Sequence, residues 1–172
     1  MRKTLSLAAA LCLFATTTVA QKKPASPPAK AEGKIGATNV SVDYSAPSKR
    51  GRVIMGGLVP YEKVWRTGAN AATTLRTDAD VTIGNLAVPA GTYTLYTIPG
   101  EKEWTLIVNT QTGQWGTQYD QSKDLGRVKM SVKSVRDTVE TFVVGVQPSG
   151  GKNGELTLTW ENTEASVPIT VR

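Results

Sequence analysis

The 172-residue chain contains no histidine and a single cysteine. Without histidine there is no Ser-His-Asp or Cys-His nucleophile, no imidazole general base and no imidazole metal ligand. One cysteine builds neither a disulfide framework nor a cysteine-rich zinc site. The sequence also lacks an apolar run of the ~20 residues that a membrane-spanning helix needs. Its longest such run, Leu5 to Phe14, is about half that length. A chain of this size makes one domain with a real core, not two.

What is present at the start of the chain reads as an export signal. Arg2 and Lys3 form a positive end, the apolar run follows, and Thr18-Val19-Ala20 supplies the small residues that signal peptidase requires. Cleavage is expected after Ala20. Cys12 lies inside the signal, preceded by bulky Leu11, so the small-residue context of a lipoprotein site is missing. The mature chain would then hold no cysteine, which suits a periplasmic or secreted protein that does without disulfides.

The formal charge of +6 invites a nucleic-acid reading, but position removes it. Arg2 and Lys3 belong to the signal. Residues 21–34 hold Lys22, Lys23, Lys30 and Lys34 against Glu32, and residues 35–172 hold 14 basic and 13 acidic side chains. The body is almost neutral and has no basic stripe with interleaved aromatics, so nucleic acid is not an expected partner. Residues 21–34, with Pro24, Pro27 and Pro28 and no apolar periodicity, read as a Pro/Ala/Lys-rich tether.

From Ile35 onward the periodicity is two. Val128, Met130 and Val132 alternate with Arg127, Lys129, Ser131 and Lys133; Leu156, Leu158 and Trp160 alternate with Thr157, Thr159 and Glu161. Turn signals such as Gly84-Asn85, Pro99-Gly100 and Asn153-Gly154 punctuate the runs. Strands are expected at 37–44, 72–77, 80–83, 86–88, 92–98, 104–109, 126–135, 138–147, 154–161 and 165–171. Pro168 places the last at an edge or bulge, and Pro60–Trp65 is the one candidate helical turn. The expected fold is all-β: a single antiparallel β-sandwich, jelly-roll or immunoglobulin-like, over residues 35–172, with a long structured loop.

That loop, residues 47–70, breaks the alternation. It combines Gly51, Gly56, Gly57 and Gly68 with Arg52, Tyr61, Trp65, Arg66 and Asn70. Glycine permits close backbone approach, while arginine beside an aromatic ring suits a carboxylate or sugar ligand. The alternative is a plug, in which Leu58, Val59, Val64 and Trp65 close the open end of the sandwich. Arg66 and Asn70 would then satisfy buried backbone groups.

The blocks GRVIMGGLVPYEKVWRTGAN, VPAGTYTLYTIPGEKEWTLIVN and WENTEASVPITV, spread over roughly Ile35–Val171, resemble DUF2911, a bacterial envelope family of unknown function. The resemblance implies a secreted or periplasmic β-domain and brings no reaction with it. Arg52, Gly57, Pro60, Trp65, Arg66, Gly68 and Asn70 match the family-typical pattern. Family members often carry an acid directly after the Gly-Ala-Asn, where this chain has Ala71.

Three functions remain. The leading one is a non-catalytic binding domain for a small molecule, glycan or envelope protein, with Arg52, Tyr61, Trp65, Arg66 and Asn70 as the ligand site. It uses no cofactor or metal. The second is a histidine-independent hydrolase drawing paired carboxylates from Asp43, Asp78, Asp80 or Asp120, although Asp78 and Asp80 also fit a turn. The third is a structural module that associates through strand edges. Asp120, Ser122 and Asp124 depart from a calcium loop, with Leu125 and Ser131 where it needs Gly and Glu. Trp104 and Trp160 read as core, and Trp115 as the exposed aromatic.

Overall fold

The computed structural model describes residues 24–172, so the expected signal, residues 1–20, lies outside the described residues. Nine strands follow in order: β1 (Pro28–Ile35), β2 (Thr38–Ser45), β3 (Thr73–Thr77), β4 (Val81–Ile83), β5 (Leu86–Val88), β6 (Gly91–Ile98), β7 (Glu103–Asn109), β8 (Asp124–Gly150) and β9 (Asn153–Val171). All are antiparallel to their neighbours, in the order β1-β2-β3-β6-β7-β8-β9-β4-β5. The all-β antiparallel class is as expected. The strands join in one open sheet, because β8 and β9 each run unbroken through positions where the composition suggested two strands and a turn.

Three local readings are corrected. Residues 28–34 are not a tether but most of β1. Ala31 and Ile35 are buried while Lys30, Glu32 and Lys34 point outward. The period-two pattern was hidden by small residues, and Pro28 occupies the first position of an edge strand, where a missing N–H is tolerated. Pro60–Trp65 forms turns and a bridge, not a helical turn; the described helical element is the 3-10 turn Gln121–Lys123. Pro168 lies on an interior strand, just beyond Ser166, where the ladder with β8 ends, and its carbonyl accepts from the Gly84 N–H.

One apolar cluster draws residues from every strand, including Ile35, Val42, Leu75, Ile83, Val88, Leu95, Trp104, Met130 and Trp160. β1 closes over the second half of β8. A Cβ added at Gly33 would lie 2.5 Å from the Val146 carbonyl oxygen, so glycine is needed where the two backbones meet.

Two features of the sheet prepare a site. The first is a pair of irregularities in β8. The register moves from Ser134↔Thr163 to Val139↔Glu161 and on to Val143↔Thr159, leaving extra residues on the β8 side. The backbone groups freed there bind the long loop: Lys49 N–H donates to Glu140 O at 2.7 Å, and Phe142 N–H donates to Pro47 O at 2.9 Å. The second is β6, whose alternation suggests a wet face, yet Thr94 and Tyr96 are both fully buried. The segment 111–118 covers that face. Thr94 Oγ1 donates to Gln111 O, and Tyr96 OH accepts from Gln114 Nε2 and donates to Gln118 O.

Candidate functional site

Residues 46–72 contain no named strand, yet they are fixed at three places. Glu140 and Phe142 hold the 47–50 segment, as above. Glu161 holds the next turn: its carboxylate bonds Lys49 Nζ at 2.5 Å and accepts from the Ile54 and Met55 N–H groups at 3.3 Å. Lys49 and these amides keep the Glu161 carboxyl below the usual range. Further on, Trp65 and Thr97 exchange both backbone hydrogen bonds, at 2.7 and 2.9 Å.

Trp65 is set among aromatic rings. It stacks on Trp160 with centroids 5.9 Å apart and an interplanar angle of 20°, and it meets Trp104 and Phe142 edge-to-face at 6.2 and 5.1 Å. Trp160 is itself anchored through its indole N–H to Glu140 O. The stack Trp65–Trp160 forms the apolar floor of a cleft of about 660 Å³, within the range of small-molecule sites.

Arg66 stands at this cleft, half-buried, and among the described residues its guanidinium has no hydrogen-bond or ion-pair partner. Its stem runs over Gly116, where an added Cβ would lie 2.8 Å from Arg66 Cδ and 2.8 Å from Asn70 O. Gly116 N–H donates to that same Asn70 oxygen at 2.9 Å. Arg52 also lines the cleft, but its Nε and Nη2 are tied to the carbonyls of Lys49 and Ser48. Leu58, Pro60 and Val64 form an apolar rim. Among the described residues no aspartate or glutamate lines the cleft.

The five sequence-derived residues therefore separate. Arg52, Trp65 and Arg66 converge on the cleft. Asn70 frames it, with a left-handed φ of 58° and Nδ2 donating to Ser26 O at 3.2 Å. Tyr61 stands apart, its ring lying against Gly56. Sequence reasoning missed Tyr96, Tyr119, Gly116 and Thr117, which also line the cleft. The signal for them was Trp115 in a Gly-rich polar stretch; Trp115 itself is 52% exposed and outside the lining, but its neighbours enter it.

The hydrolase candidates do not reach this place. Asp43 pairs with Arg76, Asp78 accepts from the Asn39 backbone and side chain, Asp80 accepts from Ala90 N–H, and Asp120 caps the 3-10 turn through Ser122. Each carboxylate is used locally and none lines the cleft. Among the described residues no group of three or more Asp, Glu or Cys is arranged to hold a metal ion.

Tyr119 is held differently. Its hydroxyl donates to Asp124 Oδ2 at 2.7 Å and accepts from Arg127 Nη2 at 2.8 Å. Burial, then the bond to the carboxylate, pushes its ionisation up to about 12. A free tyrosine ionises near pH 10 (roughly). The stability contributed by neutral Tyr119 is therefore complete below pH ~10 and drains as pH rises toward the folded-state value. Urea unfolding between neutral pH and strong alkali should show this loss, and Tyr119→Phe should flatten it.

The fold and cleft together define a class: an all-β domain with a loop-built, cationic, aromatic-floored cleft. A model of the family described as "Protein of unknown function (DUF2911)" matches residues 26–169, and the chain belongs to that family. No curated protein and no solved structure matches it. Among the described residues no helix is long and apolar enough to cross a membrane.

Proposed function

We propose that this chain is a non-catalytic ligand-binding domain of the bacterial cell envelope, exported by its N-terminal signal, and that its ligand occupies the cleft over Trp65 and Trp160. The observation that carries this reading is Arg66. Among the described residues this half-buried guanidinium has no protein partner and no carboxylate shares its cleft, which suits it to an external anion. The plug reading expects Arg66 and Asn70 to be bonded to backbone groups; Asn70 does bond Ser26 O, but among the described residues Arg66 has no such bond, which supports the binding reading. Tyr96, Tyr119 and Trp160 already use their polar atoms within the protein, which favours binding over acid–base chemistry at this lining.

A thermal-shift screen against organic acids, glycans, peptidoglycan fragments and metal ions tests the reading. An organic acid should raise the melting temperature, and Arg66→Ala should abolish the rise while leaving the unliganded protein folded. No shift with any compound would sink the proposal. Association through strand edges has less support. β1, an edge strand, carries Lys30, Glu32 and Lys34 outward, and charged edges discourage strand addition. N-terminal sequencing of protein recovered from the periplasm or medium should begin at Gln21; recovery from the cytoplasm would overturn the localisation.

A further inference from the structure

We infer that the ligand of this cleft is an amphipathic anion, one acidic group on an apolar, hydroxyl-poor body, and not a glycan; this rests on the ligand-binding reading above. The acidic group follows from Arg66, whose planar fork matches a carboxylate bidentately. The nature of the body follows from what the walls have left to offer.

A sugar presents many hydroxyls, and each one taken out of water needs a partner, or binding is penalised. The aromatic walls of the cleft bring polar atoms that are already engaged. Trp160 Nε1 donates to Glu140 O, Tyr96 OH lies between Gln114 and Gln118, and Tyr119 OH lies between Asp124 and Arg127. Arg52 likewise spends Nε and Nη2 on backbone carbonyls. What the aromatic groups present inward is ring and hydrocarbon, while Arg52 Nη1 and the side chains of Ser26 and Thr117 are the other polar groups of the lining. The rim continues in the same chemistry, with Leu58 47% and Val64 40% exposed. Exposed aliphatic residues placed together at the mouth of a cleft suit a ligand whose body is itself apolar. The cleft thus sets one preorganised cationic anchor, Arg66, among rings and aliphatic side chains, and offers few free partners to a hydroxyl-rich body.

The position of that anchor is fixed by packing. The Arg66 stem lies so close over Gly116 that a methyl group there would collide with it, so the guanidinium is presented from a defined point and needs little ordering on binding. Such preorganisation favours a single, directional ion pair over diffuse attraction of any anion.

Four probes separate the parts of the proposal, with titration followed by tryptophan fluorescence and by melting temperature. Phenylbutyrate carries the apolar body and the acid. Phenylbutanol and phenylbutylamine keep the body and change the head, and glucuronate keeps the acid on a hydroxyl-rich body. Phenylbutyrate should bind about tenfold or more tightly than each of the other three. The Arg66→Gln variant, which keeps the stem over Gly116 and removes the charge, should erase the preference over phenylbutanol. Equal binding of phenylbutanol and phenylbutyrate would overturn the anion, and stronger binding of glucuronate would overturn the apolar body; both would leave a ligand site standing. Failure of all four probes, with a glycan or metal positive in the broader screen, would overturn this inference alone. Failure of every compound in both would overturn the binding function as well.

Discussion

Replacing Trp65 with alanine is expected to lower the unfolding free energy by about 3 kcal/mol, near the lower end for removing a large aromatic from a packed site. For a domain of this size, that corresponds to a fall in melting temperature of roughly 6–12 °C. The size follows from geometry: one side chain meets Trp160, Trp104 and Phe142 within 6.2 Å, and its loss leaves three rings facing a void. Trp65→Phe should cost much less, since a ring still fills most of the space. The two variants also divide structure from function. Trp65→Ala removes the cleft floor and should weaken binding of phenylbutyrate, whereas Trp65→Phe should bind it nearly normally. If Trp65→Ala melts like the parent, the aromatic cluster is not a mainstay of the fold.

Glu161→Ala is the second large effect, expected to cost about 2–4 kcal/mol, from one charge-assisted bond to Lys49 and two weaker ones to backbone amides. Glu161 and Lys49 are only 18% and 21% exposed, so the pair is less screened than an ordinary surface ion pair. Its pH signature is specific. The carboxyl is held below its usual range, so its contribution is present above the free glutamate value of about 4.3 and is lost as pH falls through the lowered folded-state value. Acid unfolding of the parent should therefore be steeper than that of Glu161→Gln. Hydrogen exchange at Ile54 and Met55 would locate the damage. Faster exchange confined to those amides and their neighbours would show a released loop on an intact sheet. Unchanged exchange there would mean that Glu161 does not hold the loop.

Period-two runs made most strands legible, because one buried face imposes alternation on the other. Val128, Met130 and Val132 show this plainly. Legibility failed where that premise failed. In β6 both faces are buried, so Thr94 and Tyr96, which look wet in sequence, lie under a covering segment that bonds to them. In β1 the buried positions are filled by Ala31 and Ile35, with Gly33 between the charged residues, and this composition resembles a linker. In β8 the expected break falls at residues that bulge rather than turn, because a bulge and a turn both interrupt alternation, whereas in β9 Thr163 and Glu164, which read as a break, pair with Ser134 and Lys133 of β8. For the candidate site, arginine, tryptophan and glycine within one irregular loop were visible. The remaining lining was not, because Gly116, Thr117 and Tyr119 come from a loop some fifty residues away and Tyr96 from β6, and apart from the exposed Trp115 no local pattern marks their contact with residues 47–70.

The hydrogen bonds around the start of the described chain have a practical side. Ala25 O accepts from Arg50 Nη2, Ser26 O accepts from Asn70 Nδ2, Pro27 O accepts from Ala46 N–H, and Ser26 contributes to the cleft lining. Chain that precedes the first strand thus contributes Ser26 to the lining of the cleft. A purification tag joined close ahead of Pro24 would be only a few residues from Ser26, so tagged and untagged protein should be compared in any binding measurement. Trimming back to Pro28 would remove Ser26 from the lining and the carbonyls that bond Arg50, Asn70 and Ala46.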